Sequence, residues 1–83
     1  MYFVYLLLCG DGSIYTGITL DPEKRFKRHS EGDGAKYTRS RPPVKFLRIE
    51  SYTTRSEAAK REHQIKGWRR EKKVELIETG MPL

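Results

Sequence analysis

The sequence predicts an α+β domain whose elements follow the order strand, strand, helix, strand, helix, helix. Three observations predict this order. The chain opens with an apolar run rich in aromatic and branched side chains, two later segments begin with helix-capping residues, and an alternating segment lies between those two. A chain of 83 residues has room for one small core, so we expect residues 1–83 to form a single domain.

The first two strands are predicted to form a hairpin. Residues 2–9 are apolar on both faces, which is typical of a strand at the centre of a sheet. The turn signal Gly10-Asp11-Gly12-Ser13 follows, and Ser13 to Thr19 is predicted to return as the second strand.

The residues leave the register of this hairpin open. A two-residue loop at Asp11-Gly12 would place Tyr5 and Tyr15 on opposite faces of the hairpin. A three-residue loop from Gly10 to Gly12, with Gly12 left-handed, would place both tyrosines on the same face.

Each later element begins or ends at a recognisable signal. Asp21-Pro22-Glu23 supplies an N-cap, a proline at the first helical position and an early acid, which predict a helix from about Pro22 to Ser30. Val44 to Tyr52 alternates in polarity and is predicted to be the third strand. The capping box Thr54-Arg55-Ser56-Glu57 opens a helix that runs to about Lys66, before Gly67 interrupts it. A last short helix is predicted from Arg70 to Glu78.

The composition excludes several classes of protein. The single cysteine, Cys9, cannot form an internal disulfide or a zinc site of several thiolates, and we expect it to pack in the core. The apolar run from Tyr2 to Leu8 is too short to span a bilayer and does not resemble a signal peptide. We therefore expect a cytoplasmic protein that makes no membrane contact.

The charge of the chain favours a polyanionic partner. Seventeen basic and eleven acidic residues give a net charge of +6, and residues 21–48 alone contribute +5. Nucleic acid is the first candidate for a small basic domain. A basic segment within this region contains Lys36, Tyr37, Arg39 and Arg41. Its cations could bind phosphates, and its aromatic ring could stack on a base. A solvated loop is the simpler interpretation of the same residues.

Glu62 is out of place in the predicted second helix. At about 100° per residue, Glu62 lies on the same side of the helix as Ala58 and Ile65, which are the natural core positions. A carboxylate beside a sheet requires a cation, hydrogen-bond donors or a metal. A salt bridge to Arg61, to Lys66 or to a basic residue of the first helix is the simpler explanation.

The first helix carries a second pair of chemically useful residues. Arg25 and His29 are four residues apart and share a face. Arginine offers forked donors to a phosphate, and histidine exchanges a proton near neutral pH. With a carboxylate nearby, such a pair could serve phosphodiester chemistry, whereas a solvated basic face is the alternative.

Four segments, in this order along the chain, resemble the GIY-YIG nuclease domain. They are Phe3-Val4-Tyr5 in place of the GIY tripeptide, Tyr15-Thr16-Gly17 in place of YIG, the helix Asp21–His29 with its arginine and histidine, and Arg61–Trp68 with its glutamate. The likeness spans about residues 2–78 and is greatest to the small stand-alone bacterial members of the family.

This resemblance implies a small three-stranded antiparallel sheet flanked by helices, with the site on one sheet face. It also implies one Mg²⁺ or Mn²⁺ ion, held by Glu62 and the scissile phosphate. Tyr5 would activate the attacking water with help from Tyr15, Arg25 would bind the phosphate, and His29 would orient the nucleophile. Both tyrosines must then share a face, so the resemblance selects the three-residue loop or an equivalent bulge.

The sequence departs from the family pattern in three respects. Three residues of the family tripeptides are replaced here, by Phe3, Val4 and Thr16. We expect these replacements to change the packing of the strands more than the chemistry of the site. Many family nucleases also carry a late asparagine near the metal, whereas this sequence contains no asparagine. We also expect no counterpart of the second domain that gives most members their DNA target.

Three functions are compatible with these observations. The leading hypothesis is a divalent-metal-dependent endonuclease that hydrolyses phosphodiester bonds in DNA rather than RNA, with selectivity for substrate structure. The alternative is a non-catalytic nucleic-acid-binding module that keeps the fold. A third is a protein-interaction domain that uses Trp68 and the last helix, although we expect Trp68 to cover the core. A recruiting protein could supply targeting, and the oligomeric state is left open.

Overall fold

The computed structural model describes residues 1–31 and 42–80. These residues form strands β1 (Tyr2–Cys9), β2 (Ile14–Thr19) and β3 (Pro43–Tyr52), and helices α1 (Pro22–Ser30), α2 (Arg55–Lys66) and α3 (Arg70–Thr79). The strands make one antiparallel sheet in the order β2-β1-β3. The predicted α+β class, element order and central first strand are confirmed, and every element boundary lies within one residue of its prediction.

The hairpin between β1 and β2 adopts the register that places both tyrosines on one face. Tyr5 lies opposite Gly17, and Leu7 lies opposite Tyr15. Gly12 has a φ of 85°, which is the left-handed conformation expected at the end of a three-residue loop. Because side chains alternate along a strand, Tyr5, Leu7 and Tyr15 project from the same side of the sheet.

The other face of the sheet carries the apolar core. Val4 and Leu6 of β1 pack with Ala58 and Ile65 of α2 and with Leu76 of α3, and all five are fully buried. Burial of the four larger aliphatic side chains contributes roughly 1.5–3 kcal/mol each. This packing holds α2 and α3 against the sheet and leaves the Tyr5 face to α1.

Two further core predictions are confirmed. Cys9 is 1% exposed. Trp68, at the junction between α2 and α3, is partly buried and packs against the apolar core.

No helix among residues 1–31 and 42–80 is long and apolar enough to cross a membrane.

The helices begin where their caps predict. The side chain of Asp21 accepts a hydrogen bond from the backbone N–H of Lys24 at 3.1 Å, and that of Thr54 accepts one from the N–H of Glu57 at 3.2 Å. Each bond satisfies a donor that the first turn of a helix leaves unpaired. These two caps fix the starts of α1 and α2 relative to the strands that precede them.

A buried ion cluster ties α2 to β3, and the sequence did not predict it. Glu50 accepts hydrogen bonds from Arg61 Nε at 2.8 Å, from Arg48 Nε at 2.8 Å and from the Tyr52 hydroxyl at 2.7 Å. Burial acts to raise the pKa of Glu50, but the hydrogen bonds from Arg61, Tyr52 and Arg48 outweigh it and lower the pKa to about 2. Glu50 is therefore charged at neutral pH and anchors the helix that carries Glu62.

Candidate active site

Tyr5 lies at the centre of the candidate site, on the face of β1 that α1 covers. Its side chain is 2% exposed, and its ring packs edge-on against Phe46 with centroids 5.4 Å apart. Gly17, directly across the hairpin, gives the ring its space: a Cβ at that position would lie 2.5 Å from Tyr5 Cζ. The glycine therefore allows the end of the tyrosine ring to approach β2 closely.

His29 meets Tyr5 from the last turn of α1. Its Nε2 is 3.0 Å from the Tyr5 hydroxyl, and the side chain is 2% exposed. Phe26, one turn earlier, packs against Phe46 at 5.5 Å and holds α1 on the sheet. The alternative of a solvated basic face is thus wrong for His29, which points into the protein.

The burial of this pair sets its protonation. Desolvation, followed by the charge of Tyr15, raises the pKa of Tyr5 well above its ordinary value of 10.0. Desolvation, followed by the charges of Arg25 and Arg28, lowers the pKa of His29 from 6.5. Near neutral pH both groups are uncharged, and in the tautomer with its proton on Nδ1 the imidazole accepts a hydrogen bond from the Tyr5 hydroxyl at Nε2.

Tyr15 completes a cluster of three rings. Its centroid lies 6.1 Å from that of Tyr5 and 5.7 Å from that of His29. On the α2 side, Lys66 Nζ lies 5.9 Å from the Tyr15 centroid, within the range of a cation–π contact. Tyr15 therefore joins the Tyr5–His29 pair to the end of α2.

Glu62 is connected to this ring cluster through Lys66. Its carboxylate lies 3.4 Å from Lys66 Nζ, and the side chains of Glu62 and Lys66 are 20% and 49% exposed. The salt bridge to Lys66, one of the simpler explanations for Glu62, is present. The Glu62 charge is also near enough to raise the pKa of Tyr5. The carboxylate is thus partly accessible and electrostatically coupled to the ring cluster.

Arg25 is the fifth predicted residue at this site. It is partly buried, and its positive charge acts on both Tyr5 and His29, lowering the pKa of each. Because one cation interacts with both Tyr5 and His29, it can attract an anion to this pair. The fold thus brings together all five site residues predicted within its described part, namely Tyr5, Tyr15, Arg25, His29 and Glu62.

Lys66 was not predicted as a site residue, although its spacing could have identified it. Residues four apart on a helix are neighbours, and Glu62 followed by Lys66 is the favourable orientation.

The segment that carries the predicted nucleic-acid contacts Lys36, Tyr37, Arg39 and Arg41 lies outside the described residues.

The site can contribute one carboxylate to a divalent metal. No group of three histidine, cysteine, aspartate or glutamate residues suited to a metal occurs among residues 1–31 and 42–80. Mg²⁺ is commonly held by one or two carboxylates together with substrate phosphates and water. The partly exposed Glu62 fits a site of that kind, in which the substrate supplies further ligands.

Comparison with known families agrees with the geometry. The family model described as the GIY-YIG catalytic domain matches residues 1–75. A UPF0213 protein of Haloquadratum walsbyi is 51% identical over 79 residues, which are 95% of this chain and 89% of that protein. A UPF0213 protein of Staphylococcus epidermidis is 48% identical over 79 residues, which are 95% of this chain and 96% of that protein. These relatives are therefore small domains of similar length.

Two solved structures have a similar fold. The solution NMR structure of a UPF0213 protein from Bacillus halodurans is 41% identical, with a TM-score of 0.62 over 95% of this chain and 85% of that chain. The solution NMR structure of a protein from E. faecalis is 43% identical, with a TM-score of 0.65 over 94% of this chain and 83% of that chain.

Proposed function

The chain belongs to the GIY-YIG catalytic domain family, and on that premise we propose that it is a divalent-metal-dependent endonuclease that hydrolyses phosphodiester bonds in DNA. The observation that carries the proposal is the 3.0 Å contact between the Tyr5 hydroxyl and His29 Nε2, beside Arg25 and Glu62. A buried, uncharged tyrosine–histidine pair next to a cation and a carboxylate suits proton transfer at an anionic substrate.

The proton balance follows from the two protonation states. Water must lose a proton as its oxygen attacks phosphorus, and the raised pKa of Tyr5 leaves that hydroxyl protonated at neutral pH. Tyr5 can accept the water proton only by passing its own proton to His29 Nε2, and the lowered pKa of His29 favours the neutral imidazole that can take it. The bond between phosphorus and the leaving oxygen then breaks, and the leaving alkoxide takes a proton from solvent.

Arg25 and Glu62 have the remaining roles in this proposal. The guanidinium of Arg25 binds a non-bridging phosphate oxygen and offsets charge as the phosphorus becomes pentacovalent. Glu62 would hold a single Mg²⁺ or Mn²⁺ ion together with the substrate phosphate. When bound, the ion supplies Lewis-acid stabilisation of the phosphoryl charge. Tyr15 packs beside Tyr5 and keeps the pair in place.

The test of this proposal compares Glu62→Gln with the native protein. Both are incubated with Mg²⁺ or Mn²⁺ and labelled single-stranded, duplex, flapped and branched DNA, and RNA, and binding and cleavage are measured together. We expect the native protein to cut DNA and Glu62→Gln to bind it with at least about 10²-fold slower cleavage, because one metal ligand is lost.

Glu75→Gln is the matched control, since it removes the same charge from an exposed position on α3. It should cleave at the native rate. Equal cleavage by Glu62→Gln and the native protein would overturn the assigned role of Glu62, and no cleavage of any substrate by the native protein would overturn the nuclease proposal.

A non-catalytic nucleic-acid-binding module is the second candidate, and the ion pair between Glu62 and Lys66 favours it. A carboxylate with a cation at 3.4 Å is less available to a metal than a free carboxylate. Binding of nucleic acid by the native protein and by Glu62→Gln, with every strand left intact, is the result this alternative predicts.

The proposed setting is the cytoplasm, with DNA as the substrate and selection by the structure of the DNA. Cys9 is a buried cysteine that forms no disulfide with the rest of the described chain, which is compatible with a reducing compartment. A recruiting protein remains part of the proposal, because an 83-residue chain offers little surface for recognition of a target.

A further inference from the structure

A groove runs beside the candidate site, along the connection between β2 and α1. It consists of two adjoining depressions that share Thr19, Leu20 and Arg25. One depression continues over Lys24 and Arg28 on α1, and the other reaches Arg55 at the first turn of α2. Arg25 therefore lies at the middle of a continuous surface and also at the edge of the Tyr5–His29 pair.

Salt bridges within residues 1–31 and 42–80 do not balance the charge of this groove. Lys24, Arg25, Arg28 and Arg55 line it, and within residues 1–31 and 42–80 none of these four cations lies in a salt bridge. Its one acidic residue, Asp21, accepts the backbone N–H of Lys24 as the α1 cap. Four unpaired cations along one groove attract a polyanion with regularly spaced charges.

Apolar side chains line the groove together with these cations. Leu20, which both depressions share, is 64% exposed, and the ring of Tyr2 lines the depression that contains Arg55. An exposed leucine between guanidinium groups can pack against a sugar while the cations bind the phosphates on each side. A nucleic-acid strand presents that alternation of charged phosphate and less polar sugar and base.

We propose that this groove binds the phosphodiester backbone of the substrate strand on both sides of the phosphate held by Arg25. Arg28 and Lys24 contact phosphates on one side, and Arg55 contacts a phosphate on the other. The inference rests on the proposed function for the position of the scissile phosphate, while the groove itself stands on its residues and their charges. It predicts that binding energy is concentrated in α1 and the start of α2.

The test is a binding titration without divalent metal, so that no cleavage is required. Labelled single-stranded DNA, duplex DNA and single-stranded RNA of one sequence are titrated with Arg28→Gln and Arg55→Gln at several salt concentrations. Lys27→Gln and Lys60→Gln are the matched controls, because each removes one charge from an exposed position on the same helix outside the groove.

We expect Arg28→Gln and Arg55→Gln each to weaken binding roughly 3- to 10-fold and to reduce the slope of log K against log salt by about 1 for a duplex, because each loses one phosphate contact. The two controls should change affinity by less than about 2-fold. A thermal melt of each variant verifies that it is folded.

Each other outcome has a definite meaning. Equal weakening by groove and control variants shows that diffuse charge carries the binding and overturns the groove, as does a native protein that binds none of the probes. Selective loss in the groove variants, in a protein that never cuts DNA, supports the groove and contradicts the nuclease. Cleavage and binding that are insensitive to Arg28→Gln and Arg55→Gln support the nuclease and contradict the groove.

Discussion

Gly17 shows how a single residue shapes the site. It lies opposite Tyr5 in the hairpin, and the end of the tyrosine ring occupies the space where any other residue would place its Cβ. The position of the Tyr5 hydroxyl beside His29 therefore depends on the absence of a side chain at Gly17. Both residues could be singled out from the sequence, since they belong to the two tripeptides that match the family.

Gly17→Ala is expected to displace the Tyr5 ring. A Cβ at 2.5 Å from Tyr5 Cζ requires the ring or the strand to move, which costs roughly 1–3 kcal/mol. We expect a lower melting temperature together with slower cleavage. Gly67→Ala is the control, because its nearest neighbouring atom would lie at an ordinary 3.6 Å. Native-like stability in Gly17→Ala would show that the ring position is not constrained in this way.

The buried hydroxyl of Thr16 predicts how one core substitution changes stability. Its side chain is 3% exposed, and among residues 1–31 and 42–80 its hydroxyl oxygen is the buried side-chain polar atom without a hydrogen-bond partner. Replacement by the isosteric valine removes that polar group and keeps the volume. We expect Thr16→Val to stabilise the fold by about 1 kcal/mol in urea unfolding, because an unsatisfied buried hydroxyl is costly. Thr16→Ser, which keeps the hydroxyl and loses the methyl group, should be less stable than the native protein.

At the scale of the elements, local signals predicted each helix and strand, while pairing between distant segments was harder to predict. The caps Asp21 and Thr54 act within a few residues of themselves, so their helices could be located from the sequence. The hairpin register depended on a loop for which two lengths were chemically allowed, and only the family resemblance favoured the one observed. The Glu50–Arg61 pair joins a strand to a helix eleven residues away, and no local pattern indicates such a partner.

The Glu50 cluster predicts how stability changes with pH. The folded pKa of Glu50 is about 2, below its ordinary value of 4.5, so its stabilising contribution is complete above 4.5 and is lost as the pH falls towards 2. Glu50→Gln removes the carboxylate charge that Arg48 and Arg61 both contact, and it should cost about 3 kcal/mol at neutral pH.

Urea unfolding in neutral buffer and at a pH between these two values measures both effects. The difference in unfolding free energy between the native protein and Glu50→Gln should shrink on acidification, because in this interval Glu50 binds a proton in the unfolded chain but not in the folded protein. Glu75→Gln, with its exposed side chain, should follow the native curve. A difference that stays constant over this interval would contradict the assigned role of the Glu50 charge.

For the whole molecule, the two faces of the sheet have separate tasks. The face carrying Val4 and Leu6 packs against α2 and α3 to form the apolar core, and the face carrying Tyr5 packs against α1 to form the candidate site. The strand β1 belongs to both faces, which explains why its sequence is apolar throughout. This division could be predicted from the sequence only in part, because the tyrosines and His29 are as compatible with packing as with catalysis.

The central claim is that the Tyr5–His29 pair transfers a proton during phosphodiester hydrolysis. The most direct test is the cleavage rate of Tyr5→Phe with Mg²⁺ on the DNA that the native protein cuts fastest. This variant removes one hydroxyl and keeps the ring against Gly17 and Phe46, while Tyr52→Phe removes a hydroxyl on the other face as the control. We predict at least about a 10²-fold slower rate for Tyr5→Phe, with the native rate retained by folded Tyr52→Phe. Cleavage by Tyr5→Phe at the native rate would contradict the account.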